Sequence, residues 1–301
     1  MIQLWWWRPV ILNWCTLVSR LFNFRVFRRW LRHRMALVGL LMFSVIVVSA
    51  LFAPLISSFD PNRGDFGKTD LVPGTVHLLG TDGNGRDTWT RMLYGGRVSL
   101  FVGVVGTLIA VFVGSWLGIV SGYAGGVVDV VIQRFTELVM TMPQLLLIII
   151  VVAILGPGIV NMTFVLGIFG WPGICRLVRG QALLIRQQAY VESLRAAGAS
   201  ASYIMWRHVL PNVMPHVIVA GSLFLAGAIL TEAALSFLGL GVQPPAASWG
   251  NMLQAAQTAD ILEGKPWRWL APGLAISICV LSVNFIGDGL RDAIDPKAKL
   301  V

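Results

Sequence analysis

The chain has 301 residues, 56% hydrophobic and 12% charged, about half the charged share of a typical soluble domain. Its mean hydropathy is +0.75, and surface-to-volume scaling does not let a soluble fold of this size hide that much apolar surface. Soluble enzyme, nucleic-acid-binding domain and disordered regulator fit poorly. The formal charge of +9 reads as membrane orientation, because Lys and Arg gather in short stretches between apolar runs.

Residues 1–34 carry Arg8, Arg20, Arg25, Arg28, Arg29, Arg32 and Arg34 and no acid. Arg8-Pro9 interrupts the apolar stretch and no small-residue cleavage site follows, so a signal peptide is a poor description. Trp5, Trp6, Trp7, Trp14 and Trp30 between arginines suggest an amphipathic helix at the headgroup level, with a loosely ordered basic tail as the alternative. A membrane helix needs roughly 20 apolar residues. Uncharged runs at 35–57, 99–128, 138–175, 209–231 and 269–287 supply them. The third is too long for one helix and breaks at Gly156-Pro157-Gly158, so six spans are predicted.

By the positive-inside rule the N-terminal end is cytoplasmic, and six crossings return the C-terminus to that side. The domain reading is a basic, Trp-rich cytoplasmic segment (1–34), a six-span all-α permease domain (35–290) and a cytoplasmic tail (291–301). Segment 58–97 is then external, with five basic residues offset by five Asp. Segment 176–212 is cytoplasmic, with 241–268 a second external loop. Cys15, Cys175 and Cys279 are odd in number and show no CxxC or Cys/His spacing.

The inner segment is the most informative. Tyr190, Val191, Glu192, Ser193 and Ala196 lead to Gly198, where a left-handed residue readily ends a helix. Ser200 or Ser202 caps a second helix, which Pro211 stops or bends. Small residues, Ala196, Ala197 and Ala199, leave a surface that another backbone approaches closely. Such an elbow suits a lever held in a partner's groove. A plain helical hairpin linking two spans explains it equally well.

The spacing of Glu192, Gly198, Leu210 and Pro211 resembles the EAA loop of permease subunits in ABC importers, with Ser193 and Leu194 in place of two alanines and His208 in place of an isoleucine. Gly80-Thr81-Asp82, Gly85-Arg86-Asp87, Arg91, Tyr94-Gly95, Arg97 and Ser99-Leu100 are similar to a segment of dipeptide and oligopeptide permeases, with Thr90 where that segment has Ser. Glu232-Ala-Ala-Leu-Ser236-Phe-Leu-Gly239-Leu-Gly241, Ser248-Trp249-Gly250 and Gly287-Asp288-Gly289-Leu290-Arg291-Asp292 through Asp295-Pro296-Lys297 match the same permeases. The resemblance covers 79–297 and points to the C-type permease of an importer in the cytoplasmic (inner) membrane of a prokaryote, with a MetI-like transmembrane domain.

This resemblance implies a transport subunit and not an enzyme. A related second permease would form a heterodimer with it in the lipid bilayer, two ATPase subunits would dock from the cytoplasm, and an extracytoplasmic binding protein would deliver a di- or oligopeptide. It implies Tyr190, Val191, Glu192, Ser193, Ala196, Gly198, Ala199, Leu210 and Pro211 as the ATPase coupling loop. No cofactor is implied in this chain, ATP and Mg being held by the ATPase subunits, and no nucleic acid is a partner. The same resemblance extends to systems with nickel, glutathione or another small solute as cargo.

Other residues are weaker pointers. Gly67-Lys68-Thr69 imitates a phosphate loop, but Asn62 stands where its first glycine belongs. His33, His77, His208 and His216 have no metal-site spacing, and no nucleophile elbow of the GxSxG kind is present. Glu232, inside the fifth span, is either a pathway residue or a packing and hydrogen-bonding one. Glu137 pairs locally with Arg134, and Asp87 with Arg91, at helical spacing. Gly114, Gly118 and Gly122 give the second span a groove for helix contact. The rival from another class is a stand-alone ion-coupled transporter, which calls for midplane acids on broken helices and inverted repeats; Glu232 and Glu137 are the available acids.

Overall fold

A computed structural model describes residues 28–294. Most of the expected interfacial helix, Cys15 and the 295–297 end of the tail motif lie outside the described residues, which are helical between loops, with one isolated bridge joining Thr81 and Asp87.

Helix α1 (Arg34–Leu51) opens at His33, whose Nδ1 accepts the Ala36 N–H at 3.1 Å. Leu41, Val45 and Leu51 are exposed, whereas Ala36, Gly39 and Ala50 are buried. A soluble helix shows the reverse. In hydrocarbon a large apolar side chain gains nothing by leaving lipid, so close backbone approach at small residues carries the packing. A Cβ on Gly39 would stand 2.6 Å from the Ser282 carbonyl oxygen of the last helix.

Helix α2 (Thr88–Ala124) starts at Asp87, whose carboxylate accepts the Thr90 N–H at 2.7 Å. Its 37 residues rise about 55 Å at 1.5 Å each, well beyond the roughly 30 Å of hydrocarbon. Gly125 and Gly126, at φ +68° and +55°, reverse the chain into α3 (Gly126–Thr141).

The third crossing departs from expectation. The run predicted as a single span is divided between α3 and α4 (Gln144–Leu155), which meet at 85°. Pro143 is the cause: its ring disfavours helical backbone at the preceding residue, and Met142 is extended at φ −92°, ψ 137°. At 12 residues, α4 is about 18 Å long and does not cross alone. The predicted break after it is present, with Gly156 at φ +87°.

Helix α5 (Ile159–Arg186) runs eleven residues past Cys175, where the apolar run stops. Arg176 and Arg179 end the hydrophobicity and not the helix, which continues to Arg186. Arg179 makes a two-pronged pair with Asp129 of α3, at 2.6 Å through both Nε and Nη2. The second-span glycines face α5 as anticipated: added Cβ atoms on Gly114, Gly118 and Gly122 would lie 2.7–2.8 Å from its backbone oxygens at Trp171, Cys175 and Arg179.

Short helices α6 (Ala189–Ala196) and α7 (Ala201–Ile204) precede a π-helical turn at Met205–Val209 and α8 (Leu210–Phe237). Two more short helices, α9 (Trp249–Gln254) and α10 (Ala259–Gly264), lead to α11 (Trp267–Ile294). Five stretches, α1, α2, α5, 201–237 and α11, are long and apolar enough to cross a membrane, and the bent α3–α4 pair makes a sixth if it counts as one span.

The 58–97 segment folds back over the start of α2. His77 Nδ1 lies 2.8 Å from Asp87 Oδ1, so Asp87 serves as helix cap and histidine partner. The expected Asp87–Arg91 pair is replaced: Arg91 approaches Asp82 at 3.5 Å and donates to the Pro61 and Pro245 carbonyls at 2.8 and 3.3 Å. The capping role turns the Asp87 carboxylate to the helix end, leaving Arg91 to bind loops across the bundle. Gly67-Lys68 sits in a surface 3₁₀ turn (Phe66–Lys68) in which Asp65 accepts the Gly67 N–H at 3.0 Å. That N–H, with Lys68 behind it, holds the Asp65 carboxyl below its ordinary value.

Candidate functional site

The elbow is built from local rules. Helix α6 ends in a Schellman motif, with Gly198 N–H donating to the Arg195 carbonyl at 2.9 Å and Ala199 N–H to that of Leu194 at 3.0 Å. Gly198 stands at φ +82° with no neighbour within 4 Å of where a Cβ would be. Backbone conformation, not crowding, requires glycine there. Ser200 Oγ accepts the Tyr203 N–H at 3.3 Å and opens α7. Pro211 has no N–H to give and crowds the carbonyl four residues earlier; the chain answers with the π turn, where Leu210 N–H reaches the Met205 carbonyl. Asn212 Nδ2 then caps the His208 carbonyl at 2.7 Å.

These turns give the elbow two faces. Val191, Ile204, Val209 and Val213 are fully buried against Tyr123, Ile174, Val178 and Ala182, with Leu194, Ala199 and Leu210 packed around them. Tyr190, Glu192, Ser193, Ala196 and Gly198 are exposed, and Pro211 is half-buried at the root of α8. The nine residues singled out from sequence therefore divide into inward anchors (Val191, Ala199 and Leu210), an outward row and a hinge proline.

Contacts without a sequence signal fix the elbow to the bundle. The Arg195 guanidinium lies 4.9 Å from the Tyr123 ring centroid, and its Nε donates to Tyr123 Oη at 3.3 Å. That contact joins α6 to the far end of α2, 35 residues from its start. His208 packs between Tyr190 and Tyr203, at 6.2 and 5.5 Å between ring centroids. Tyr190 Oη is 3.5 Å from Asn212 Nδ2, and burial pushes the Tyr190 hydroxyl above its ordinary pKa. Tyr203 and Trp206 add exposed aromatic surface beside the outward row. The face is small, partly aromatic and rigidly backed, suited to taking a push from a second protein.

Glu232 lies elsewhere. It is fully buried in α8, accepts the Ser236 hydroxyl through Oε1 at 2.8 Å, and has Ser99 and Ser248 beside the same carboxyl. Its Oε2 has no hydrogen-bond partner among the described residues. The serines around it organise the loop after α8: Ser236 Oγ accepts the Val242 N–H, Ser99 Oγ that of Trp249, and Ser248 with Asn251 forms the capping box of α9. None of the cavities described here includes Glu232 in its lining. The largest, about 650 Å³, is a mostly apolar groove between α5, α8 and the end of α11, with His216 and Arg291 in its wall. A second groove of about 480 Å³ runs along the α3–α4 bend, and both grooves contain Gly170, Gly173 and Phe224.

Comparison with known proteins places this architecture. Residues 114–300 match the family described as binding-protein-dependent transport system inner membrane component. The chain belongs to that family, the multi-pass permease subunits of ABC importers. Residues 24–73 match the N-terminal transmembrane domain of oligopeptide transport permease C, which narrows the type within it. A Brucella suis chain carrying a peptide-permease name is 41% identical over 272 residues, 90% of each chain. The glutathione transport system permease protein of Pectobacterium atrosepticum is 39% identical over 273 residues, again 90% of each. The oligopeptide transport system permease protein of Bacillus subtilis is 37% identical over 271 residues, 90% of this chain and 88% of the relative.

Proposed function

We propose that this chain forms one half of the membrane pathway of an ATP-driven peptide importer, and that the elbow between α5 and α8 is where an ATPase subunit grips it. The observation that carries the reading is the two-faced elbow, with a buried aliphatic anchor behind an exposed row centred on a left-handed glycine. An anchored lever passes a displacement of its outer face to α2 and α5, on which it packs, and to α8, which continues from it. A rigid-body switch between two access states needs such a connection.

In this reading the elbow and both chain ends face the cytoplasm of a prokaryotic cell, and the segment over α2 and the loop carrying α9 face outward. The arginine-rich N-terminal stretch and the arginines at the end of α5 support that orientation. A second, related permease completes the path, two separate ATPase subunits bind and hydrolyse ATP with Mg, and an external binding protein hands over the cargo. The chain itself performs no bond chemistry. The names of its relatives support a di- or oligopeptide cargo, and the likeness to a glutathione permease supports a small peptide as a second reading.

The test is Gly198→Asp in the assembled importer reconstituted in vesicles. An aspartate disfavours the left-handed backbone and adds charge to the gripped face. The expected result is loss of ATP-dependent peptide uptake and of binding-protein-stimulated ATPase activity, with membrane insertion retained. Unchanged uptake would remove the elbow from the coupling role.

A further inference from the structure

At the end of α2 remote from the elbow, three arginines converge on a small, half-open space. Arg86, Arg91 and Arg268 line it together with Asp82, Thr88, Met252 and Ala255, and its volume is about 20 Å³. About 10–15 Å³ is the minimum for one water molecule, so the space is the size of a single small particle. Arg91 and Arg268 are 5% and 8% exposed. Like charges held this close in a poorly solvated place repel strongly unless something answers them.

The carboxylates present answer in part. Asp82 takes the Arg86 Nε–H at 2.8 Å and faces Arg91 at 3.5 Å. Asp70, the second acid, is shared between Arg268 and Lys265, at 2.8 Å from each. Lys265 also approaches Asp260 at 3.9 Å, so four cations meet three carboxylates around the cavity and one positive charge is left over. Each guanidinium carries five N–H donors. Arg86 commits only Nε here, and Arg268 commits its two terminal nitrogens to Asp70 and the Ala255 carbonyl.

A second observation is independent of charge. Thr88, at the N-terminal end of α2 and also in the cavity wall, is 2% exposed, and its Oγ1 has no hydrogen-bond partner among the described residues. A buried hydroxyl left unpaired is costly. Here it stands beside an excess of positive charge and at a helix end whose dipole favours an anion.

We infer that the cavity bounded by Arg86, Thr88, Arg91 and Arg268 binds one monatomic anion, chloride. The ion accepts the Thr88 hydroxyl and uncommitted guanidinium N–H groups, and it ties the starts of α2 and α11 to α9. A water molecule would satisfy the hydroxyl and leave the charge excess standing.

The experiment uses the importer purified with its partner subunits, at constant ionic strength, with chloride replaced stepwise by gluconate. Thermal unfolding is followed, and bromide is located by anomalous scattering. The expected result is a saturable stabilisation by chloride and a bromide peak in contact with Thr88 and Arg91. Thr88→Val weakens the apparent chloride affinity by about tenfold, the effect of removing one hydrogen bond to a charged partner. Arg86→Gln, which leaves the buried Arg91 and Arg268 in place, serves as the second variant should Thr88→Val fail to fold. Absence of a saturable chloride effect, or a bromide peak only elsewhere, would show a water-filled cavity and overturn the assignment. The same follows if every variant that folds keeps the wild-type chloride response.

Discussion

Gly198 and Glu232 show how single residues carry different kinds of constraint. At Gly198 the space is open and the backbone angle is the constraint, so Gly198→Ala should cost about 1–2 kcal/mol, the penalty of a left-handed residue bearing a Cβ. The measurement is thermal unfolding in detergent, and a change below about 0.3 kcal/mol would contradict the Schellman geometry as the reason for glycine. At Glu232 the constraint is an acceptor in a buried serine cluster. Glu232→Gln keeps an oxygen for the Ser236 hydroxyl and the same volume, and is expected to fold and transport much as the parent does. Glu232→Ala leaves a cavity and unpaired hydroxyls, a loss of about 2–4 kcal/mol, read as a lower melting temperature and reduced abundance. If Gln and Ala behave alike, the carboxyl oxygen is not what organises the loop after α8. From sequence, Glu232 was open between pathway and packing, because hydropathy says that an acid is inside a span and not what it meets. Ser99 lies 133 positions away in the chain, and folding alone brings it alongside.

Helices in this protein meet through small residues, and their limits follow caps and prolines more closely than hydropathy. Gly118→Val tests the first statement. A Cβ there would sit 2.7 Å from the Cys175 carbonyl oxygen and 2.8 Å from the Val178 Cβ, so α2 and α5 must separate, at a cost of about 2 kcal/mol or more. Gly173→Ala, with nothing within 4 Å of its Cβ position, is the control and should be neutral or gain up to about 1 kcal/mol of helix propensity. Equal losses at both sites would refute the close-packing account. The four-residue glycine period was legible because its geometry is local to one helix. The end of α5 at Arg186 was not, since arginines close an apolar run without breaking hydrogen bonds, and the Asp129 partner that favours Arg179 lies on another helix. The bend at Pro143 carried a local signal, a proline after a residue it forces out of the helix; continuous apolarity on both sides concealed it.

For the whole molecule the open quantity is the parity of crossings, which the bent α3–α4 pair decides. Counted as one span it gives six crossings and both chain ends on the same side; as a re-entrant element it gives five. Single cysteines at Ala197 and Gly67, in a background with the native cysteines replaced, resolve this when labelled with an impermeant reagent in inside-out and right-side-out vesicles. The expected outcome is labelling of Ala197→Cys from the cytoplasmic face and of Gly67→Cys from the other, with a C-terminal tag on the Ala197 side. Labelling of Ala197→Cys and Gly67→Cys from the same face would replace six crossings with five. Membrane class, approximate span positions and the capped two-helix elbow were determined by the sequence itself, because hydropathy, charge asymmetry and cap residues act over a few turns of chain. Tertiary structure decided which face of the elbow is anchored, why Asp87 holds His77 while Arg91 crosses to Pro61 and Pro245, and how distant Arg268 comes to share one cavity with Arg86 and Arg91. Those outcomes depend on partners from about 10 to 182 residues apart along the chain, and contacts between separate elements leave no periodicity to read.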